Sequence, residues 1–314
     1  LAGLVAARAL IGFGVSACLM AAFKAYTLWF PREKWPLVNG LQMAAGGLGA
    51  LAATAPVEAA LQVTDWRGVF MVLAVLTLLV AGAVYGVVPE KPSNGAGESV
   101  KQQLRGVRAL FTSLTFWRTA PLTTMSQASF LSIQGLWAGP WLKDVAGLER
   151  MGVARVLLWI AVAMIAGFIL LGSLAERLSR SGVSVLTTAV TGMGLFIGIQ
   201  GLVLAGPAKW ALPIWVLFGF FGTSGILAYA ALSQQFPVQM SGRVTTAVNL
   251  LVFIAAFVGQ WAIGAIIGIW PVSAGGNYDL AGYRTGFAVM LVLQALGVLW
   301  FFTASRMIKR RGNQ

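Results

Sequence analysis

Histidine is absent from this sequence, cysteine occurs once, as Cys18, and aspartate and glutamate together number nine. Without histidine, the usual metal ligand and the usual proton shuttle at neutral pH are both missing. A single cysteine leaves no partner for a disulfide within the chain. The acids are scattered, so no cluster of acid, thiol or imidazole groups is available for a polytopic membrane enzyme. Neither enzymatic activity nor a cofactor or metal is expected. Charged residues make up only 10% of the chain, against roughly 25% in soluble domains, and such a chain cannot coat itself for water. The net charge of +13 does not point to nucleic acid either, because the basic residues gather at the ends of apolar runs and not on one face.

What is present is apolar: 58% of the residues belong to the hydrophobic class. They fall in nine windows, roughly 2–28, 36–61, 66–88, 119–142, 152–175, 183–205, 211–234, 243–270 and 283–305, each long enough to cross a bilayer as a helix. Spans in lipid must be helices or closed barrels. Runs this uniformly apolar do not alternate over about 10 residues as barrel strands do, so the expected fold is an all-α integral membrane bundle. With residues 28–40 placed in the cytoplasm, fourteen Lys and Arg lie inside and six outside, with Arg8 and Lys24 left within a span. That asymmetry sets the orientation, with the C-terminus cytoplasmic and a bacterial inner membrane as the expected location. The chain opens at Leu1, already apolar, with no short leader followed by a polar start; an upstream part is expected to be missing.

Segment 89–118 is polar, contains Pro and Gly, and ends in basic residues. It reads as a cytoplasmic linker with a short amphipathic helix near 99–112, between a three-span unit (1–88) and a six-span unit (119–314). Two short patterns recur across it. Phe30-Pro31 and Phe236-Pro237 each close a span on the cytoplasmic side, 206 residues apart from Pro31 to Pro237. Trp66-Arg67 with Phe70, and Tyr283-Arg284 with Phe287, each enter a span from outside, 217 residues apart from Arg67 to Arg284. Both offsets correspond to six spans, which indicates a duplicated six-helix unit, a transporter habit. Three further spans would complete the first copy and bring the protein to roughly 400 residues at about 20 per span.

Gly172-Ser173-Leu174-Ala175-Glu176-Arg177-Leu178-Ser179-Arg180 resembles the Gly-x-Leu-Ala-Asp-Arg-x-Gly-Arg loop of the major facilitator superfamily, in its second-half copy, with Glu176 for Asp and Ser179 for Gly. Arg8-Ala9-Leu10-Ile11-Gly12-Phe13-Gly14 is similar to the Arg-x-x-x-Gly-x-Gly run of the family's fourth helix, with Ile11 in place of the common Gln. Gly46-Gly47-Leu48-Gly49 followed by Ala55-Pro56 is a degraded form of the fifth-helix signature of drug–proton antiporters, which weakens a drug-efflux reading. The resemblance implies helices four to twelve of a major facilitator bundle: the last three of the first half and all six of the second. It implies a conformational latch at Gly172, Glu176, Arg177 and Arg180, and a role for Arg8 in proton coupling or anion binding.

The resemblance also implies a central cavity lined by 2–28, 119–142 and 211–234. Helical spacing in 119–142 sets Gln127, Phe130, Gln134, Trp137 and Trp141 along one stripe, beside Ser126, Ser129 and Ile133. Amides that fix orientation and rings that supply apolar area suit a solute surface. Tyr229 and Asn249 join the candidate cavity set, and Gly219, Gly222 and Gly225 form a small-residue face. Glu58 is the one carboxylate that could lie well inside a span and so is a candidate for coupling. The expected function is a monomeric secondary transporter of a small solute working by alternating access, with protons as candidate coupling ions. The alternatives are drug efflux and a scaffold or sensor that does not transport.

Overall fold

A computed structural model describes residues 2–52, 55–89, 99–206, 208–273 and 276–312. These form, in order, α1 (Ala2–Val15), α2 (Cys18–Trp29), α3 (Trp35–Ala52), α4 (Ala55–Ala60), α5 (Trp66–Val87), α6 (Val100–Phe111), α7 (Leu114–Ser132), α8 (Ala138–Asp144), α9 (Arg150–Arg180), α10 (Val185–Ala205), α11 (Ala211–Gly222), α12 (Leu227–Ser233), α13 (Ser241–Ile267) and α14 (Leu280–Gly312). The fold is all-helical among the described residues. Polarity is arranged for lipid: Phe257 and Leu10 are 76% and 73% exposed, while Ser129, Gln200 and Gln294 are fully buried. Among the described residues, seven helical stretches are long and apolar enough to cross a membrane. They match the predicted spans except 36–61, which is divided between α3 and α4 with residues 53–54 undescribed, and 119–142, which is polar along much of α7.

Three predicted spans are not continuous α-helix, and each break has a local cause. Ser16 turns its N–H and its hydroxyl onto Phe13 O at 3.3 and 2.7 Å, a local bond that competes with the helical ladder between α1 and α2. Between α7 and α8, Ile133–Trp137 form a π turn, which accommodates one extra residue. Between α11 and α12, Thr223–Ile226 wind as a 3-10 turn beside Gly222 and Gly225. The linker helix α6 begins with a capping box: Gln102 N donates to Ser99 Oγ at 3.3 Å and Ser99 N donates to Gln102 Oε1 at 2.9 Å.

The chain divides into two compact units, residues 1–44 with 106–314, and residues 45–105. In the first, α7 runs between α13 and α14, and α9 lies along α11. Glycines set these spacings by letting backbones approach: a Cβ at Gly167 would lie 2.5 Å from Phe220 O, and one at Gly219 would lie 2.8 Å from Ile160 O. In the second unit, α5 is capped by Asp65, whose side chain accepts from Gly68 N at 2.9 Å, and none of its residues is buried.

The two aromatic-Arg motifs, at 66–70 and 283–287, share a ring pair. Trp66 and Phe70 stack edge to face at 6.1 Å, and Tyr283 and Phe287 do so at 6.0 Å. Arg67 lies over Trp66, 4.5 Å from its ring centre. Arg284 instead donates to Leu204 O and Ala205 O at 3.2 and 3.0 Å, satisfying the last carbonyls of α10.

Candidate functional site

The Phe-Pro segments fold identically. Phe30 and Phe236 each end a helical run, Pro31 and Pro237 are extended, and a 3-10 turn of three residues follows (Arg32–Lys34 and Val238–Met240) before α3 and α13 begin. In each, the backbone N–H of the last turn residue reaches the proline carbonyl, at 3.0 Å for Lys34 and 2.8 Å for Met240. Proline fixes φ and has no N–H to place, so each helix is stopped at the same step.

These turns also meet each other. Phe23 and Tyr229, equivalent under the 206-residue offset, contact edge to face at 6.0 Å. Lys24 reaches Ser241, and the equivalent pair, Ala230 and Trp35, share one buried cluster. A pairing whose counterparts share one cluster, around a residue that meets its own counterpart, is the pattern an approximate twofold axis produces. The hydrogen bonds of this seam run from Lys24 Nζ to Val238 O (2.7 Å) and Ser241 Oγ (3.2 Å), between Thr27 Oγ1 and Ser241 Oγ (3.1 Å), and from Gln234 Nε2 to Arg32 O (2.7 Å).

Beside the seam, α3 crosses α9 with almost no space between the backbones. A Cβ at Gly40 would lie 2.2 Å from Phe168 O, and one at Gly172 would lie 3.0 Å from Pro36 O. The residues predicted to form a latch are helical and not in a loop: Gly172, Glu176, Arg177 and Arg180 lie in the last turns of α9, and the turn comes only after Arg180. Glu176 shares Gly172's face, is buried, and accepts a hydrogen bond from Arg180. Arg177 is exposed.

The predicted stripe on 119–142 is split by the π turn, because the extra residue rotates everything beyond Ser132 by about one helical step of 100°. Gln127 and Phe130 point into the bundle. Gln127 Nε2 donates to Gly222 O at 3.0 Å, and Phe130 packs against Phe196 and Phe218. The small-residue face receives them: a Cβ at Gly222 would lie 2.1 Å from the Phe130 ring, and one at Gly225 would lie 2.2 Å from Gln127 Nε2. Trp141 is buried against Trp215. Gln134 and Trp137 remain half-buried, and Trp137 Nε1 donates to Gln260 O at 3.1 Å. Tyr229 OH donates to Asn249 Oδ1 at 3.4 Å. The side chains of Arg8 and Glu58 lie outside the described residues. The small residues of 46–49 make no close crossing at Gly46 or Gly49, where an added Cβ would meet nothing within 4 Å.

Sequence reasoning left Lys24 in its span without a role, although a lysine there is costly unless it has polar partners. It also passed over a buried amide cluster, in which Gln294 Nε2 donates to Ser129 Oγ at 2.9 Å and to Gln200 Oε1, and Gln200 Nε2 donates to Ser129 Oγ at 3.3 Å. These bonds tie α7, α10 and α14 together. The available signal was one glutamine in the middle of each of two apolar runs. Gln294→Leu is expected to lower stability by about 1 kcal/mol. Adding Gln200→Leu should cost less than the sum of the two single changes, because the two share a network. Thermal unfolding in detergent measures both.

The apolar surface and the long apolar helices define an all-helical membrane bundle with two recurring turns. The model of the Major Facilitator Superfamily matches residues 1–260, and the chain belongs to that superfamily. It is 24% identical over 319 residues to monocarboxylate transporter 12-B of Danio rerio, covering 90% of this chain and 64% of that protein. It is 24% identical over 303 residues to the hexuronate transporter of Bacillus subtilis strain 168, covering 91% and 71%. The crystal structure of a bacterial homologue of the iron transporter ferroportin, in an outward-facing state, superposes with a TM-score of 0.64 at 15% identity, over 89% of this chain and 66% of that one; that likeness concerns the fold. The chain thus spans about two thirds of the length of these proteins.

Proposed function

We propose that the protein is a secondary active transporter that moves a small organic anion by alternating access. Residues 1–88 and 119–314 act as its two halves, 89–118 is their cytoplasmic connector, and the bundle has nine spanning helices. The observation that carries this reading is the seam between α2 and the start of α13. It is made of a few hydrogen bonds to carbonyls and hydroxyls, which water replaces at little cost when the halves part. The Phe23–Tyr229 ring pair lies across the axis at the same end. In this reading the molecule is closed at its cytoplasmic end, and Gly172, Glu176, Arg177 and Arg180 hold α9 against the first turns of α3. The substrate class follows from two relatives named for carboxylates and from Arg8, which the resemblance links to anion binding. Arg8, Gln127, Phe130, Gln134, Trp137, Tyr229 and Asn249 are the proposed cavity residues, and Arg8 and Glu58 are the proposed groups for proton coupling.

The test is uptake into liposomes reconstituted with the protein, comparing a labelled monocarboxylate and a labelled hexuronate with a neutral hexose, with and without an inward proton gradient. The expected result is accumulation of at least one carboxylate, faster with the gradient, and slower uptake in Gln134→Ala. Transport of the neutral sugar alone would rule out the anion reading. A gradient response unchanged in Glu58→Gln would remove Glu58 from the coupling path.

A further inference from the structure

A groove of about 310 Å³ lies between α6 and the first turns of α13. Val107, Leu110, Phe111 and Leu250 line it with apolar surface, Thr246 adds one hydroxyl, and Arg243 supplies charge. The Arg243 guanidinium lies against α6, where a Cβ on Gly106 would come within 2.7 Å of Nη1. On the preceding residue of α13, a Cβ on Gly242 would lie 3.5 Å from the Lys24 side chain, whose ammonium group is taken by Val238 O and Ser241 Oγ, so Arg243 is the cation of the groove. Among the described residues no carboxylate lines it.

The helix that forms one wall has three faces. Gly106 and Leu110 turn toward α13. Leu104 and Val107, 64% and 39% exposed, form an apolar stripe. Lys101, Arg105 and Arg108 fall on the adjoining stripe by helical spacing. A helix with that distribution lies in the membrane interface, its apolar face toward the acyl chains and its cations at the level of the phosphates.

We infer that the groove between α6 and α13 is a binding site for an anionic phospholipid of the adjacent leaflet. Its phosphate is held by Arg243, and one acyl chain lies along Leu110, Phe111 and Leu250. A zwitterionic lipid offers the same apolar tail but brings its own cation beside Arg243, so charge is what selects the occupant.

Native mass spectrometry of the full chain, released from nanodiscs of mixed phosphatidylglycerol and phosphatidylcholine, tests the inference. Retained phosphatidylglycerol should exceed its share of the bilayer. Arg243→Gln should weaken that retention about fivefold, the contribution of one interfacial cation, while Arg243→Lys should keep most of it. Thr246→Trp, an exposed position, fills the groove and leaves the charge in place, and it too should abolish the preference. If Arg243→Gln does not fold, Thr246→Trp carries the test. Equal retention of both lipids by the unaltered protein, or a lipid preference unchanged in folded Thr246→Trp, would overturn the assignment.

Discussion

Gly40→Val is expected to push α3 away from α9 and abolish transport. The Cβ of valine would come 2.2 Å from Phe168 O, a backbone atom that no rotamer change can move aside. Relief requires displacement of a helix, which costs about 1–3 kcal/mol or more in packed interiors. Gly46→Ala, further along the same helix, is the matched control: its Cβ meets nothing within 4 Å, and alanine is the better helix former by about 1 kcal/mol. Size-exclusion profiles and thermal midpoints in detergent should therefore fall for the first variant and hold or rise for the second. Equal behaviour would show that the close crossing is not what orders these two helices.

The second expected result is complete and reversible loss of transport when the seam is tied shut. Thr27 Oγ1 and Ser241 Oγ lie 3.1 Å apart, so cysteines at both positions are placed to bridge. Cys18, the one native cysteine and an exposed one, is first changed to serine. Oxidation should stop uptake and thiol reductant should restore it, because a covalent link removes one of the two states an alternating mechanism needs. Uptake that continues at full cross-linking would exclude any mechanism in which α2 parts from α13. Carrying Gly40→Val into the same background adds a check: cross-link yield should drop if the α3–α9 crossing holds the seam closed, and Gly46→Ala should leave it unchanged.

Much of the architecture could be read in advance because it rests on local rules. Length and hydropathy placed the long helices, the polar, basic composition of 89–118 placed α6 within the linker, and Phe-Pro marked two equivalent turns. The site was less legible because its geometry is not local. Lys24 meets Val238 and Ser241 through a bend more than two hundred residues away, and nothing in the sequence near Lys24 specifies that encounter. The amide cluster of Ser129, Gln200 and Gln294 fails for the same reason, since three helices far apart in the sequence each supply one residue. The stripe on 119–142 is a different case. A π turn has no compositional marker, so a period of 3.6 carried through it does not follow the added residue between Ile133 and Trp137.

The ring pair on the axis carries a constraint of its own. In any ancestral assembly of two identical units, a residue at the position of Phe23 and Tyr229 would have faced a copy of itself, so a like-charged pair was excluded there from the outset. One residue along, Lys24 and Ala230 stand off the axis and face different neighbours, Ser241 and Trp35. Two copies joined in one chain can carry a charge at that position in one copy while the other stays small, an asymmetry that a homodimer cannot adopt in one copy alone.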